Sequence, residues 1–129
     1  MNYSIKQVSE RFQISAYTLR YYERERLLPP IRRKENGMRA YRDIDLEWIK
    51  LIKCLRATGM SISDIRDFVS MCNLGGDKIQ EVRRVVLRQK EIIEQQIKAY
   101  NEFLLVIDNK LKHIDKMSAP LELSTADSI

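Results

Sequence analysis

The sequence predicts a mainly α chain, a compact basic domain followed by one long helix. Three observations carry the prediction. Apolar residues recur at helical spacing in short segments as far as Cys72. The pair Asn36-Gly37 marks a β-hairpin between them. From about residue 77 to residue 117 there is no proline or glycine, and apolar residues repeat every seven positions.

Ser4 is a good helix N-cap, and Ile5, Val8 and Phe12 behind it share one helical face. Gln13-Ile14-Ser15 is a tight connection. Ser15 caps a second helix, expected from Ala16 to Leu27, with Pro29 and Pro30 ending it. Two short helices so joined form a helix-turn-helix, whose second helix can lie in a major groove. Leu19, with Tyr22, is expected to face the first helix. Ser15, Tyr17, Thr18, Arg20, Tyr21 and Arg24 are left for the outer surface. Tyrosine and arginine hydrogen-bond to phosphates and base edges; on an arbitrary helix they would mark only a solvated face.

Both turn positions of Asn36-Gly37 are expected at positive φ. The flanks, with Arg33 on one side and Arg39 and Tyr41 on the other, are short and basic. Such a hairpin suits a wing lying along a DNA backbone, or a charged edge that resists aggregation. Asp43 is expected to cap a third helix that stops at Gly59, with Ile44, Trp48, Leu51, Ile52 and Leu55 as its buried stripe. Ser61 caps a fourth, with Ile62, Ile65, Phe68, Val69 and Cys72 inward. Gly75-Gly76 reads as a hinge, dividing a domain at 1–74 from a helix at 75–117. Residues 118–129 show no periodicity and read as a flexible tail.

In the long helix Val86, Ile93, Tyr100, Ile107 and Ile114 form one column, and Ile97, Leu104 and Leu111 a second. Gln89, Gln96 and Lys110 interrupt the seam. A helix of ~40 residues spans about 60 Å and needs a partner along its length. The seven-residue period makes that partner a second copy in a coiled coil.

The net charge of +5 is segregated: residues 1–42 carry ten Lys/Arg against four Asp/Glu, while the remainder is nearly neutral. Solubility does not need that placement, whereas a polyanion-binding module does. No apolar run is long enough to cross a bilayer and the start is not a signal peptide, so a cytoplasmic location is expected. Two cysteines without a CxxC make neither a disulfide framework nor a zinc site. Paired carboxylates, a Ser/His/Asp set and a phosphate loop are all missing, which argues against an enzyme.

The segments "YSIKQVSERFQISAYTLRYYERERLLPP", "NGMRAYRDIDLEWI" and "LRATGMSISDI" resemble the MerR family of bacterial transcription regulators, over residues 3–65. The resemblance implies a winged helix-turn-helix domain followed by a long antiparallel coiled-coil dimerisation helix. It implies a dimer on double-stranded promoter DNA that bends and untwists an overlong spacer for RNA polymerase. It places Arg20 and Tyr21 on DNA, Arg39 and Tyr41 on phosphates near the operator centre, and Tyr17 and Thr18 at positions that set operator preference. Arg24 and Arg33 follow as further contacts.

The family's metal sensors carry cysteines at the start of the dimer helix and after it; here residues 76–129 hold none, so no metal or other cofactor is expected. Twelve residues after Met117 leave no room for the large ligand domain of its drug sensors. "WIKLIKCLRATGMSI" resembles the NmlR- or AdhR-like subgroup, which responds to aldehydes and other electrophiles, and sets Cys54 on the subgroup's cysteine. Cys54 is expected at the edge of the buried stripe beside Lys50, a cation that favours the reactive thiolate. The helix C-terminus and Glu47 oppose that effect. Two roles stay open for Cys54, a sensor thiol or a boundary residue packing on the partner's dimer helix. Without a sensor role the chain would be an effector-independent repressor or an architectural DNA-binding protein.

Overall fold

The computed structural model describes residues 1–117; the stretch 118–129, expected as a tail, lies outside the described residues. The elements are β1 (Asn2–Tyr3), α1 (Ile5–Phe12), α2 (Ala16–Arg24), β2 (Arg32–Arg33), β3 (Arg39–Arg42), α3 (Asp43–Ala57), α4 (Ile62–Leu74), a 3-10 turn (Gly76–Lys78) and α5 (Ile79–Asp115).

The first two helices begin where their caps predict. Ser4 Oγ accepts from Gln7 N–H at 3.1 Å, and Gln7 Oε1 accepts from Ser4 N–H at 2.8 Å, a reciprocal capping box. Ser15 Oγ accepts from Thr18 N–H at 3.0 Å. α2 stops at Arg24, short of the expected Leu27, and not because of the prolines. Arg26 takes a left-handed φ of 60°, and Leu27 N–H donates back to Tyr22 C=O at 2.9 Å, closing the last turn.

The hairpin closes differently from the expectation. Only Gly37 has positive φ, at 85°. Lys34 N–H donates to Met38 C=O, and Gly37 N–H donates to Lys34 C=O. This is a three-residue loop, a tight turn followed by a left-handed glycine. Asn36 contributes through its side chain, whose Oδ1 accepts from Met38 N–H at 3.0 Å. β1 also adds to the far edge of β3, so the wing is a three-stranded antiparallel sheet in the order β1-β3-β2.

α3 is rotated from its expected setting. Asp43 opens the helix, but the capping group is Asp45: its carboxylate accepts from Arg42 N–H at 2.8 Å and from the Arg42 guanidinium at 3.3 Å. Asp45 is thereby fully buried. With it go Leu46, Ile49, Ile52 and Leu55, whereas Ile44 is exposed and Trp48 and Leu51 only skirt the core. Gly59, at φ 105°, follows the helix end. Ser61 caps α4 by accepting from Asp64 N–H, and Ile65, Phe68 and Val69 face inward, with Ile62 and Cys72 partly covered. Gly75 (φ 60°, ψ −155°) and Gly76 (φ 43°) then turn the chain into α5.

The chain forms two compact units, Met1–Gln89 and the remainder from Lys90. The first therefore runs beyond residue 74 and takes in the opening turns of α5, where Val82 and Val85 pack on its core. That core draws Val8, Leu19, Tyr41, Ile49 and Ile65 from successive elements, all essentially unexposed. Each large aliphatic buried there contributes about 1.5–3 kcal/mol. Gln89, expected in the coiled-coil seam, is buried instead, its Nε2 donating to Thr58 Oγ1 at 2.6 Å. In the second unit α5 continues to Asp115 with Ile97, Tyr100, Phe103, Leu104, Ile107, Leu111 and Ile114 exposed. Among the described residues no helix is long and apolar enough to cross a membrane.

Candidate nucleic-acid interface

α2 presents its polar side outward because Leu19 and Tyr22 anchor the opposite side in the core. Tyr17 is 72% exposed, and Arg20 and Arg24 are exposed. Thr18 and Tyr21 are half-buried, and the Arg24 guanidinium lies 5.5 Å from the centre of the Tyr21 ring. That contact holds a planar cation and an aromatic face together at the surface. Ser15 is exposed but committed to capping, with its hydroxyl also donating to Thr18 Oγ1 at 2.9 Å. A groove of about 340 Å³ runs beside the helix, lined by Tyr17, Thr18, Tyr21, Tyr22, Arg56 and Ile62.

The wing arginines meet α2 through one carboxylate. Arg39 Nε donates to Glu23 Oε1 at 2.7 Å, and an Arg33 terminal nitrogen lies 3.5 Å from Glu23 Oε2. Arg33 also donates to Gly37 C=O at 3.0 Å, bracing the hairpin tip. Glu23 was not among the expected site residues. No local spacing could have found it, because Arg39 is sixteen residues away.

Tyr41 departs from the expected surface position. Its residue is fully buried, and its hydroxyl makes no hydrogen bond among the described residues. Burial pushes its pKa up, against the opposing pull of nearby Arg39 and Arg20. Burial likewise raises Tyr22, with Arg56 opposing. Both phenols are neutral near pH 7.

Cys54 is exposed. Taking ~100° per residue, it lies about 170° from the centre of the observed α3 stripe, on the far side and not at the edge. Two of its cationic neighbours are tied elsewhere: Lys53 Nζ donates to Phe12 C=O at 2.6 Å, and Arg56 to Met60 C=O at 3.0 Å. The Cys54 carbonyl accepts from Thr58 Oγ1 at 2.8 Å, and Thr58 in turn accepts from Gln89. Cys72 is half-buried, and burial raises its thiol pKa. No group of three His, Cys, Asp or Glu among the described residues is placed to hold a metal ion.

Comparison with known proteins matches residues 3–72 to the model of the MerR HTH family regulatory proteins, and residues 46–109 to that described as MerR, DNA binding. An uncharacterised HTH-type transcriptional regulator of Haemophilus influenzae is 38% identical over 119 residues, 92% of this chain and 88% of its own length. The HTH-type transcriptional regulator AdhR of Bacillus subtilis is 42% identical over 84 residues, 65% of this chain and 59% of its own. Among solved structures, HiNmlR, a MerR family regulator lacking the sensor domain and bound to promoter DNA, superposes with a TM-score of 0.84. It shares 38% identity, over 90% of this chain and 92% of that one.

Proposed function

The chain belongs to the MerR family of HTH regulators, a DNA-binding transcription regulator and not an enzyme, and from that premise we propose a dimer that bends and untwists promoter DNA under control of Cys54. The observation that carries the reading is the outward face of α2, with Tyr17, Arg20 and Arg24 exposed beside a basic wing. In this reading α2 enters the major groove, with Arg20 and Tyr21 on DNA and Tyr17 and Thr18 setting operator preference. Arg33 and Arg39 take backbone phosphates. Tyr41, whose hydroxyl is buried, holds its strand of the wing from inside the core.

The second unit supplies the dimer. Its exposed Ile97, Leu104, Ile107, Leu111 and Ile114 are apolar surface that a second antiparallel helix covers. Two wings held by such a dimer reach half-sites on opposite ends of a promoter spacer. Deforming that spacer costs about 1–6 kcal/mol, which the added phosphate contacts offset. The corrected register then lets RNA polymerase engage both promoter elements.

Cys54 is the switch in this reading. Its exposure leaves the thiol open to an aldehyde or other electrophile. Its carbonyl also ends the hydrogen-bond chain that runs through Thr58 to Gln89 on α5. A bulky adduct on the last turns of α3 therefore acts next to the contact joining α3 to the start of the dimerisation helix.

Two measurements test the proposal. Arg20→Ala should lose promoter footprinting, and an unchanged footprint sinks the assignment of α2 to the groove. Under aldehyde challenge, promoter output should respond in wild type and in Cys72→Ser but not in Cys54→Ser. Full response by Cys54→Ser removes the thiol switch, and equal output with and without aldehyde in wild type points to an effector-independent regulator.

A further inference from the structure

Arg33 and Arg39 are directly opposed in the β2–β3 ladder. Like charges facing each other across an antiparallel pair repel. Both guanidinium groups nevertheless reach the two oxygens of one carboxylate, Glu23, Arg39 by a short hydrogen bond and Arg33, held besides by the Gly37 carbonyl, at 3.5 Å. Glu23 lies on α2, one helical turn after Arg20, so the two are neighbours on the helix surface. Its carboxylate thus ties the helix that carries Arg20 to the two wing cations. Its side chain is 23% exposed and that of Arg39 20%, so the pair is shielded more than an ordinary surface ion pair.

We propose that Glu23 is the positioning residue of the DNA-binding face, fixing the wing to the recognition helix so that groove reading and phosphate gripping belong to one rigid body. Arg39 spends its Nε on Glu23 and keeps its terminal nitrogens for a phosphate, a division that the five-donor guanidinium fork permits. Glu23 itself carries a negative charge on a face that binds a polyanion. On charge alone its removal would strengthen binding to any DNA. Its geometry demands the reverse for the cognate site, because Arg39, released from it, must be re-ordered on the duplex, while Arg33 keeps only its bond to the Gly37 carbonyl.

The opposed signs make the test. The full-length protein would be used to select a duplex from a random 30-base-pair pool, and affinities for that duplex and for unselected pool DNA measured by fluorescence anisotropy between 50 and 200 mM salt. Glu23→Gln should weaken binding to the selected duplex by up to about tenfold, the scale of immobilising one rotamer-rich side chain. Binding to pool DNA should stay equal or rise about twofold, as one repulsive charge is lost. The salt slope should remain that of wild type, whereas Arg39→Ala should lower it by about one. Glu23→Gln added to Arg39→Ala should cost much less than it does alone. Equal or tighter binding of Glu23→Gln to the selected duplex overturns the proposal, as do additive effects in the double variant. A parallel loss on both DNAs also overturns it, because that is the mark of a domain that has merely unfolded. Failure of wild type to enrich any duplex would instead strike at the DNA-binding reading on which this one rests.

Discussion

Tyr41→Phe isolates one hydroxyl. The ring is fully buried and the hydroxyl has less than 1 Å² of accessible surface with no hydrogen-bond partner among the described residues. Burying such a group unpaired costs about 1–3 kcal/mol. Phenylalanine keeps the ring and its packing, so no cavity opens. The expected result is a gain of about 1 kcal/mol, which raises the melting temperature of a domain of this size by about 4–8 °C. Affinity for promoter DNA should stay unchanged, because a hydroxyl without accessible surface cannot meet a phosphate. Thermal denaturation and anisotropy on one preparation read both. A lower melting temperature would show that the hydroxyl is paired in the folded protein. A loss of about tenfold in affinity would show that DNA binding opens the wing and exposes it.

Two further outcomes follow from buried polar groups. Asp45→Ala removes the carboxylate that caps α3 and receives the Arg42 guanidinium. The loss should be about 2–3 kcal/mol in urea denaturation with an unchanged m-value, and Asp45→Asn should restore part of it. From neutral pH to about pH 8 Cys72, Tyr22 and Tyr41 should leave stability level, and above that it should fall. Burial raises the Cys72, Tyr22 and Tyr41 pKa values, so in that range the unfolded chain gives up its protons first and is favoured as pH rises. Tyr41→Phe should make the decline shallower, and a decline already beginning near pH 7 would refute the assignment.

Local chemistry was legible in the sequence, and non-local chemistry was not. Ser4, Ser15 and Ser61 cap their helices as expected, because a cap is settled within four residues. The long helix was legible from its period. The fold as a whole, a winged helix-turn-helix with a long helix behind it, was carried by the order of these elements. The α3 stripe was misplaced because periodicity counts Ile44 as core and Asp45 as surface. The reciprocal Arg42–Asp45 contact inverts both, since it makes a charged residue cheap to bury. β1 has only two residues and exists through its pairing with β3, some forty positions on. Gln89 read as a flaw in a seam, and its partner Thr58 is thirty-one residues distant. In the candidate site, the exposed residues of α2 follow from helix geometry. Glu23 and the burial of Tyr41 follow only from how the wing folds back on α2.

The two glycines that lead into α5 restrict the chain by handedness and not by room. A Cβ placed on Gly75 or Gly76 would meet nothing within 4 Å, yet both residues have positive φ. At Gly75 the torsions are the mirror image of an ordinary extended residue, a region that L-amino acids essentially do not enter. Even alanine, for which the space is open, is therefore excluded there by its chirality. The joint before the dimerisation helix is thus a stereochemical filter, and its tolerance cannot be judged from side-chain volume.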